Sequence, residues 1–257
     1  MARRRPATRP CQRRWAPKWS SSTHLVREGF VVELASFAQP PHVHRFPAIT
    51  GNDLWDAGLH LARWVAADSA GALAGRRCVE LGAGLGLVGI SAACCGARVV
   101  LTDLAANVPA LRENCRRNAD LIEANAGSAA VEELDWDAVA AGGEEGEAAV
   151  RRVGSALGGP ADVILGSDLS WSPGLCAPLA ASVLALAAAG GAERRVDVHI
   201  AHTSRHGWGK AGEAPEGEAT FSLAPLLQQA GFRAQGETRI GDEQGTYIFH
   251  YTHGSTQ

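Results

Sequence analysis

Residues 78–103, CVELGAGLGLVGISAACCGARVVLTD, predict the framework of the whole chain. Residues 78–81 favour a buried strand, and the alternating glycines that follow interrupt regular structure and require a sharp turn. Residues 87–95 are small and apolar, which predicts a helix, and residues 98–102 predict a second strand that Asp103 closes. A strand, a glycine loop, a helix, a strand and an acid in this order predict half of a nucleotide-binding α/β fold.

The spacing of the glycines separates the possible cofactors. A dinucleotide-binding loop has its third glycine three residues after the second, where it permits close helix packing, but three residues after Gly84 stands Leu87. The spacing therefore disfavours a dinucleotide dehydrogenase. An acid inside the first strand followed by alternating glycines instead resembles motif I of S-adenosylmethionine-dependent methyltransferases. The motif I residues that we expect at the cofactor are Glu80, Gly82, Ala83, Gly84 and Gly86.

Asp103 completes this candidate site. It lies about twenty residues after the glycine loop, where a carboxylate can accept hydrogen bonds from the hydroxyls of a ribose. The alternative interpretation is a tight turn of an α/β protein that binds no cofactor. The combination of strand, loop, helix and acid favours the cofactor site.

The first 24 residues differ in composition from the rest of the chain. They contain seven Lys or Arg residues and no acid, whereas the whole chain has a net charge of −3. This composition predicts a basic disordered tail or a transit peptide. Six cysteines without C-x-x-C spacing indicate a reducing compartment, so we expect a cytoplasmic protein, with a chloroplast or mitochondrion as the alternative if the basic segment is a transit peptide. The remaining residues are strongly acidic, which disfavours a nucleic-acid partner and is compatible with a basic protein substrate.

Residues 25–257 are predicted to form a single α/β domain, and we expect a monomer. We expect no membrane association, because no apolar stretch is long enough to span a bilayer. Its N-terminal arm, residues 25–49, has an alternating apolar pattern over 25–37 that predicts a strand or a hairpin arm. Residues 140–159 are rich in Gly, Ala and Glu, which predicts a flexible insertion. From residue 78 onward the patterns predict seven strands, of which the last two are antiparallel.

Other candidate residues follow predicted strands or begin a predicted helix. Residues 161–166 predict a buried strand, and Ser167, Asp168 and Trp171 follow it at the end where open parallel sheets bind ligands. Trp136 comes after a third strand, and Trp55 lies near the start of a helix predicted over residues 50–67. We predict no metal site, because His199 and His202 alternate across a strand, although with His206 they could be imagined as ligands.

Four local matches together resemble the seven-β-strand, non-SET protein lysine methyltransferases, in particular the methyltransferase-like twenty-one group. They are Leu54-Trp55-Asp56-Ala57, residues 79–89, Glu133-Leu134-Asp135-Trp136 and Ile164-Leu165-Gly166-Ser167-Asp168, and the resemblance covers residues 50–251. It implies a Rossmann-like, seven-stranded, mostly parallel sheet with helices on both faces, S-adenosyl-L-methionine as cofactor, and methylation of a lysine in a protein substrate. By this similarity the cofactor is lined by Trp55, Gly82, Ala83, Gly84, Asp103, Trp136 and Ser167.

One position departs from the family pattern. Members of the family carry Asp-x-x-Tyr after the fourth strand, where this chain has Asp168 and Trp171. Tryptophan keeps an aromatic face that attracts a cation by about 0.5–2 kcal/mol, but its indole nitrogen only donates hydrogen bonds. We expect Asp168 to orient the ammonium of a substrate lysine and Trp171 to wall the acceptor channel. The alternatives are a catalytically impaired scaffold protein, or a methyltransferase for another protein side chain or a small molecule.

Overall fold

The computed structural model describes residues 19–27, 30–37, 53–68, 72–191, 193–203, 219–240 and 245–254. The strands are β1 (Trp19–Arg27), β2 (Phe30–Phe37), β3 (Arg77–Leu81), β4 (Arg98–Asp103), β5 (Ser128–Glu133), β6 (Val163–Ser167), β7 (Val196–Thr203), β8 (Arg233–Ile240) and β9 (Thr246–His253). The helices are α1 (Asp56–Asp68), α2 (Leu87–Ala93), α3 (Val108–Arg117), α4 (Ala119–Ala124), α5 (Trp136–Ala141), α6 (Gly143–Leu157), α7 (Pro173–Ala188) and α8 (Ala219–Gln229).

Seven of these strands form one sheet in the order β5-β4-β3-β6-β7-β9-β8. The five strands from β5 to β7 are parallel, and β9 pairs antiparallel with both β7 and β8. The chain builds outward from β3 through β4 to β5 and then returns to the other side of β3 as β6. The sheet therefore reverses its strand order between β3 and β6, which is where open α/β sheets form a ligand crevice. The predicted seven-stranded, mostly parallel sheet is confirmed.

Helices cover both faces of the sheet because the strand residues alternate between two apolar cores. On one face Cys78, Leu101 and Leu165 pack with apolar residues of α1, α2 and the N-terminal hairpin. On the other face Val79 and Ile164 pack with apolar residues of α6, α7 and α8. This double layer confirms the predicted Rossmann-like architecture, with helices on both faces of the sheet.

The N-terminal arm is a hairpin that lies outside the main sheet. Strand β1 pairs antiparallel with β2, in a register that runs from Trp19 opposite Phe37 to Arg27 opposite Phe30. Of the two predictions for residues 25–37, the hairpin arm is confirmed, because β2 is one strand of the hairpin, whereas one continuous strand is wrong, because β1 ends at Arg27 and β2 begins at Phe30. The predicted boundary at residue 24 is also wrong, because residues 19–24 already pair with β2. Polar residues continue the strand here because backbone hydrogen bonds and not side chains make the ladder. The rest of the predicted tail, residues 1–18, lies outside the described residues.

The predicted flexible insertion at residues 140–159 is wrong. Helix α6 occupies most of this range and buries Ala149, Val153 and Leu157, which recur every four residues along one face. Gly146 allows α6 to approach α5 closely, since a Cβ there would lie 2.5 Å from the carbonyl oxygen of Ala138. The glycines of this stretch thus serve helix packing and the helix ends, while alanine and glutamate are good helix formers.

Two other predicted elements differ in their limits. The helix predicted over residues 50–67 begins at Asp56, and its first predicted residues, 50–52, lie outside the described residues. The sequence also predicts one crossover helix over residues 104–119; in the structure this helix, α3, begins at Val108 and ends at Arg117, and α4 follows after Asn118. Among the described helices, none combines the length and apolar character needed to cross a bilayer.

Candidate functional site

The glycine loop, residues 82–86, leaves the carboxyl end of β3 beside the point where the strand order reverses. Its three glycines have positive φ angles between 55° and 85°, a region that residues with a side chain rarely adopt. At Gly82 a Cβ would also lie 2.6 Å from Leu169 Cδ2 and 3.3 Å from the Trp136 ring. The N–H of Ala83 donates to a carbonyl of β4 at 2.9 Å, which fixes the start of the loop. Three of the five loop residues therefore have no side chain, and the first of them, Gly82, packs against the ring of Trp136.

Asp103 connects the glycine loop to the end of β4. Its Oδ2 accepts a hydrogen bond from the Gly84 N–H at 2.7 Å, and its Oδ1 accepts from Leu104 N–H at 2.7 Å and from Asn107 Nδ2 at 2.8 Å. The residue is 7% exposed. Each carboxylate oxygen has two lone pairs, so Oδ2 can accept one more donor in addition to Gly84. Asp103 thus shapes the loop and can still accept a hydroxyl.

Two residues predicted at the cofactor face the protein interior: Glu80, which lies behind the loop, and Gly86, the last residue of the loop. Glu80 is 2% exposed, and its Oε2 accepts from the Gly89 N–H at 2.8 Å in the first turn of α2. The pKa of Glu80 is raised to about 8, chiefly because the carboxyl is buried; the Gly89 N–H acts to lower the pKa and the nearby Asp103 carboxylate acts to raise it. A Cβ on Gly86 would lie 2.5 Å from Leu111 Cδ1 of α3. Both residues therefore support the loop from the protein side.

The end of β6 brings Ser167 and Asp168 to the other side of the crevice. Ser167 lies beside α1, since a Cβ on Gly58 would be 3.3 Å from its Oγ. Asp168 has a φ of 52° and is 7% exposed. Its Oδ1 accepts from the Thr203 N–H at 3.1 Å and lies 3.3 Å from His202 Nδ1. The carboxylate that we predicted to meet a substrate is thus also an anchor between the ends of β6 and β7.

Three tryptophans stand at this end of the sheet. Trp55 is 41% exposed and directly precedes α1, where its carbonyl accepts from the N–H groups of Gly58 and Leu59. Trp136 is half-buried at the start of α5, and its ring lies against the glycine loop at Gly82. Trp171 is half-buried between β6 and α7. The structure therefore brings the Trp136 ring against the glycine loop, whereas Trp55 lies just before α1 and Trp171 lies between β6 and α7.

His199 and His202, two of the histidines considered as metal ligands, have different partners. His199 Nδ1 lies 2.9 Å from His250 Nδ1 beneath the ring of Trp64, while His202 lies at Asp168. His206 lies outside the described residues. Within the part of the chain that the structure describes, no three His, Cys, Asp or Glu side chains are arranged to hold a metal ion.

Sequence reasoning missed Leu104 and Asn114. Leu104 follows Asp103 and is 41% exposed, so it offers an apolar surface beside the carboxylate. An apolar residue directly after the strand-ending acid was a usable signal. Asn114 donates from Nδ2 to the Leu85 carbonyl at 2.9 Å, in the middle of the glycine loop. The local sequence around Asn114 gives no signal for this contact, because its partners are 29 and 79 residues away.

Two curated proteins match parts of the chain. Histone-arginine methyltransferase METTL23 of Xenopus laevis is 39% identical over 101 residues, which are 39% of this chain and 37% of that protein. Protein-lysine N-methyltransferase rrg1 of Schizosaccharomyces pombe is 51% identical over 59 residues, 23% of this chain and 20% of that protein. The chain therefore spans well under half the length of these curated relatives in the matches.

Solved structures share the fold at low sequence identity. The glycopeptide N-methyltransferase MtfA, solved with S-adenosyl-L-homocysteine, superposes with a TM-score of 0.54 at 13% identity, over 78% of this chain and 92% of its own. A SAM dependent methyltransferase from Aquifex aeolicus gives a TM-score of 0.54 at 13% identity, over 81% and 99% of the two chains. These likenesses support the class I methyltransferase fold.

A family profile covers both sides of the crevice. The profile described as lysine methyltransferase matches residues 47–207, which include the glycine loop, Asp103, Trp136 and the end of β6. This match spans more than half of the chain. The glycine loop and Asp103, which lie where the strand order reverses, are therefore part of the region that the family profile matches. The chain belongs to the lysine methyltransferase family.

Proposed function

We propose that this protein is an S-adenosylmethionine-dependent methyltransferase that methylates a lysine side chain of a protein substrate. The observation that carries the proposal is the 2.7 Å hydrogen bond from the Gly84 N–H to Asp103 Oδ2, beside the reversal of strand order. It sets a loop in which three of the five residues are glycine next to a hydroxyl acceptor. Membership of the lysine methyltransferase family supports this assignment. The methyltransferase-like twenty-one subgroup stays a prediction.

The residues at the crevice fit this cofactor chemically. A carboxylate repels a phosphate group, whereas it accepts hydrogen bonds from ribose hydroxyls and favours a nearby cation. The exposed side chain of Leu104 and the ring of Trp136 provide apolar surface for an adenine. Trp55 and Ser167 stand across the crevice from the glycine loop in this proposal. The cofactor, when bound, supplies an electrophilic methyl group on a positively charged sulfur.

The acceptor nitrogen must present a lone pair to that methyl group, so a lysine has to lose a proton first. For a free lysine with a pKa of about 10.4, deprotonation near pH 7.4 costs about 4 kcal/mol. We propose that Asp168 orients the incoming ammonium, and that desolvation lowers the pKa of the lysine. The support for Asp168 is its place at the carboxyl end of β6 and its fixed carboxylate, held by the Thr203 N–H. Trp171 walls the channel and holds the ammonium by cation–π attraction.

Arginine is the second candidate acceptor. The match to a histone-arginine methyltransferase, 39% identical over 101 residues, favours it. A guanidinium keeps its proton in proteins and binds carboxylates through paired N–H donors, so an arginine acceptor needs carboxylates that hold it in plane. A lysine acceptor needs a site that removes a proton. The two acceptors therefore make different demands on Asp168.

Calorimetric titration with S-adenosylmethionine tests the cofactor assignment. We expect one molecule to bind per chain, and we expect Asp103→Asn to weaken binding strongly. The matched control is Glu133→Gln, since Glu133 lies opposite Asp103 in the β4–β5 register but is exposed. If the wild-type chain binds no cofactor, the scaffold alternative replaces the proposal.

Transfer of a labelled methyl group tests the reaction and the acceptor. The chain is incubated with labelled S-adenosylmethionine and a cell lysate, and the modified residue is located by mass spectrometry. Methyllysine in a protein supports the proposal, and its loss in Asp168→Asn supports the role of Asp168. Methylarginine would select the second candidate, and label in a small molecule would overturn a protein substrate.

A further inference from the structure

Two buried asparagines lie one turn apart at the C-terminal end of α3: Asn114 within the helix and Asn118 directly after it. Asn114 is 0% exposed and Asn118 is 4% exposed. Both bind the backbone of β2 in the N-terminal hairpin. Asn114 Oδ1 accepts from the Ala35 N–H at 2.7 Å, while Asn118 accepts from the Glu33 N–H at 3.0 Å and donates to the Glu33 carbonyl at 2.6 Å. Removing a partner of a buried amide leaves a polar group unsatisfied, so both asparagines stabilise the docked hairpin.

The two asparagines differ in their remaining contacts. The third side-chain hydrogen bond of Asn118 is local, since its Nδ2 also donates to the carbonyl of Asn114, one turn earlier, at 2.8 Å. The Nδ2 of Asn114 instead leaves the helix and donates to the carbonyl of Leu85 at 2.9 Å. Leu85 lies between the second and third glycines of the glycine loop. Asn114 therefore joins the hairpin to the loop through a single amide.

This contact matters because the glycines have no side chains to hold the loop. Hydrogen bonds hold its backbone at several points: the Ala83 N–H on the Thr102 carbonyl at 2.9 Å, the Gly84 N–H on Asp103, the Gly86 N–H on the Ala83 carbonyl at 2.7 Å, and the Leu85 carbonyl on Asn114. A loop that is already ordered loses less conformational entropy when a ligand binds. The Leu85 contact is the one that the hairpin also shares.

We propose that Asn114 is a positioning residue: its Nδ2 fixes the glycine loop in its binding conformation, and its Oδ1 couples the loop to β2 through the same amide. The proposal deepens the proposed function, since it rests on that function for the identity of the ligand. It predicts that Asn114 and Asn118 contribute similarly to stability but differently to cofactor affinity. Asn114 acts through the loop and does not contact the reacting atoms.

Matched variants Asn114→Ala and Asn118→Ala test this coupling. Both are expected to lower the melting temperature, because both lose hydrogen bonds to the hairpin. In ligand-free protein only Asn114→Ala should increase amide hydrogen exchange across residues 83–88, by about tenfold. It should also raise the Kd for S-adenosyl-L-homocysteine about tenfold, whereas Asn118→Ala should stay within about twofold of the wild type. Equal changes in the two variants, or no change in Asn114→Ala, would overturn the proposal.

A second variant keeps the test decisive if Asn114→Ala does not fold. Asn114→Asp keeps the volume and the oxygen that accepts from Ala35, but at pH 8 its carboxylate cannot donate to Leu85. The same increase in exchange and in Kd is expected, relative to wild type at that pH. The exchange measurement uses no ligand. A wild-type chain that binds no cofactor would therefore refute the proposed function, while the exchange data still decide the role of Asn114.

Discussion

The carboxylates at the two ends of the parallel sheet bind different kinds of partner. At the amino end, where β3, β6 and β7 begin, acids are paired with arginines. Asp162 contacts Arg77 and Arg194, and Asp197 lies 2.9 Å from both Arg76 and Arg195. At the carboxyl end, the acids of the candidate site are held by N–H groups: Glu80 by Gly89, Asp103 by Gly84 and Leu104, and Asp168 by Thr203.

This difference separates a stabilising end from a binding end. At Asp162 and Asp197 burial favours the neutral acid, but hydrogen bonds and positive charge from the arginines lower both pKa values. At Glu80 burial raises the pKa to about 8. Arginine partners neutralise the acids at the amino end, whereas Asp103 at the carboxyl end is fixed by N–H groups that carry no positive charge, so its carboxylate can attract a cation. The carboxyl end is therefore suited to a positively charged cofactor and acceptor.

The largest predicted effect concerns Asp103. Asp103→Asn removes the charge beside the glycine loop and one acceptor for a ribose hydroxyl, so we expect the Kd for S-adenosylmethionine to rise about 100-fold. Glu133→Gln, on the neighbouring strand end, should change the Kd less than about twofold. Calorimetry at one pH and ionic strength measures both. An unchanged affinity in Asp103→Asn would remove the distinction between the two ends.

The second prediction concerns the pH dependence of stability at Glu80. Its pKa is raised in the folded state, so burial of the neutral acid stabilises the fold fully below about pH 4.5, and this stabilisation is lost as the pH rises through about 8. Between pH 6 and 9 the wild type should lose about 2 kcal/mol of unfolding free energy relative to Glu80→Gln. Denaturant titrations across this range measure the difference. Parallel profiles for the two proteins would contradict the assignment of a neutral Glu80.

The amino end should respond in the opposite pH range. The pKa values of Asp162 and Asp197 are lowered in the folded state, so their stabilisation is present above about pH 4 and is lost as the pH falls further. Asp162→Asn should lower the unfolding free energy by about 1–2 kcal/mol at pH 7 and leave cofactor affinity unchanged. Glu147→Gln, in the exposed pair with Arg151, is the control and should cost less than about 0.5 kcal/mol. A large loss of affinity in Asp162→Asn would show that the two ends are not independent.

The smallest predicted effect concerns Trp55. Trp55→Leu should weaken cofactor binding about fivefold, because an exposed aromatic ring that stacks on a base contributes about 1–3 kcal/mol. Trp55→Phe should keep most of the affinity. The ring is 41% exposed, so both variants should change the melting temperature little. If Trp55→Leu binds the cofactor like the wild type, Trp55 lies outside the binding surface.

The parts of the molecule that sequence could predict are those whose signals are local. The glycine loop, Asp103 and the strands on either side occupy 26 consecutive residues, and each element follows from its own spacing. The pattern at the end of β6 was local in the same way. Helix α6 was missed because its glycines resemble those of a linker, although Ala149, Val153 and Leu157 carry a helical repeat.

The rest depended on distant contacts. Glu80 was predicted to face the cofactor, and only the fold shows that its carboxylate lies against Gly89 behind the loop. Asn114 lies in a helix that sequence identifies as a simple crossover. Its role follows from partners in the hairpin and the glycine loop, which are brought together only when the sheet has formed.

Amide hydrogen exchange with and without S-adenosyl-L-homocysteine tests whether the carboxyl end of the sheet binds the cofactor. We expect strong protection on ligand addition across residues 81–88 and 103–107, with residues 76–77 and 194–197 at the amino end unchanged. Protection confined to the amino end, or no protection of the glycine loop at a saturating ligand concentration, would contradict it.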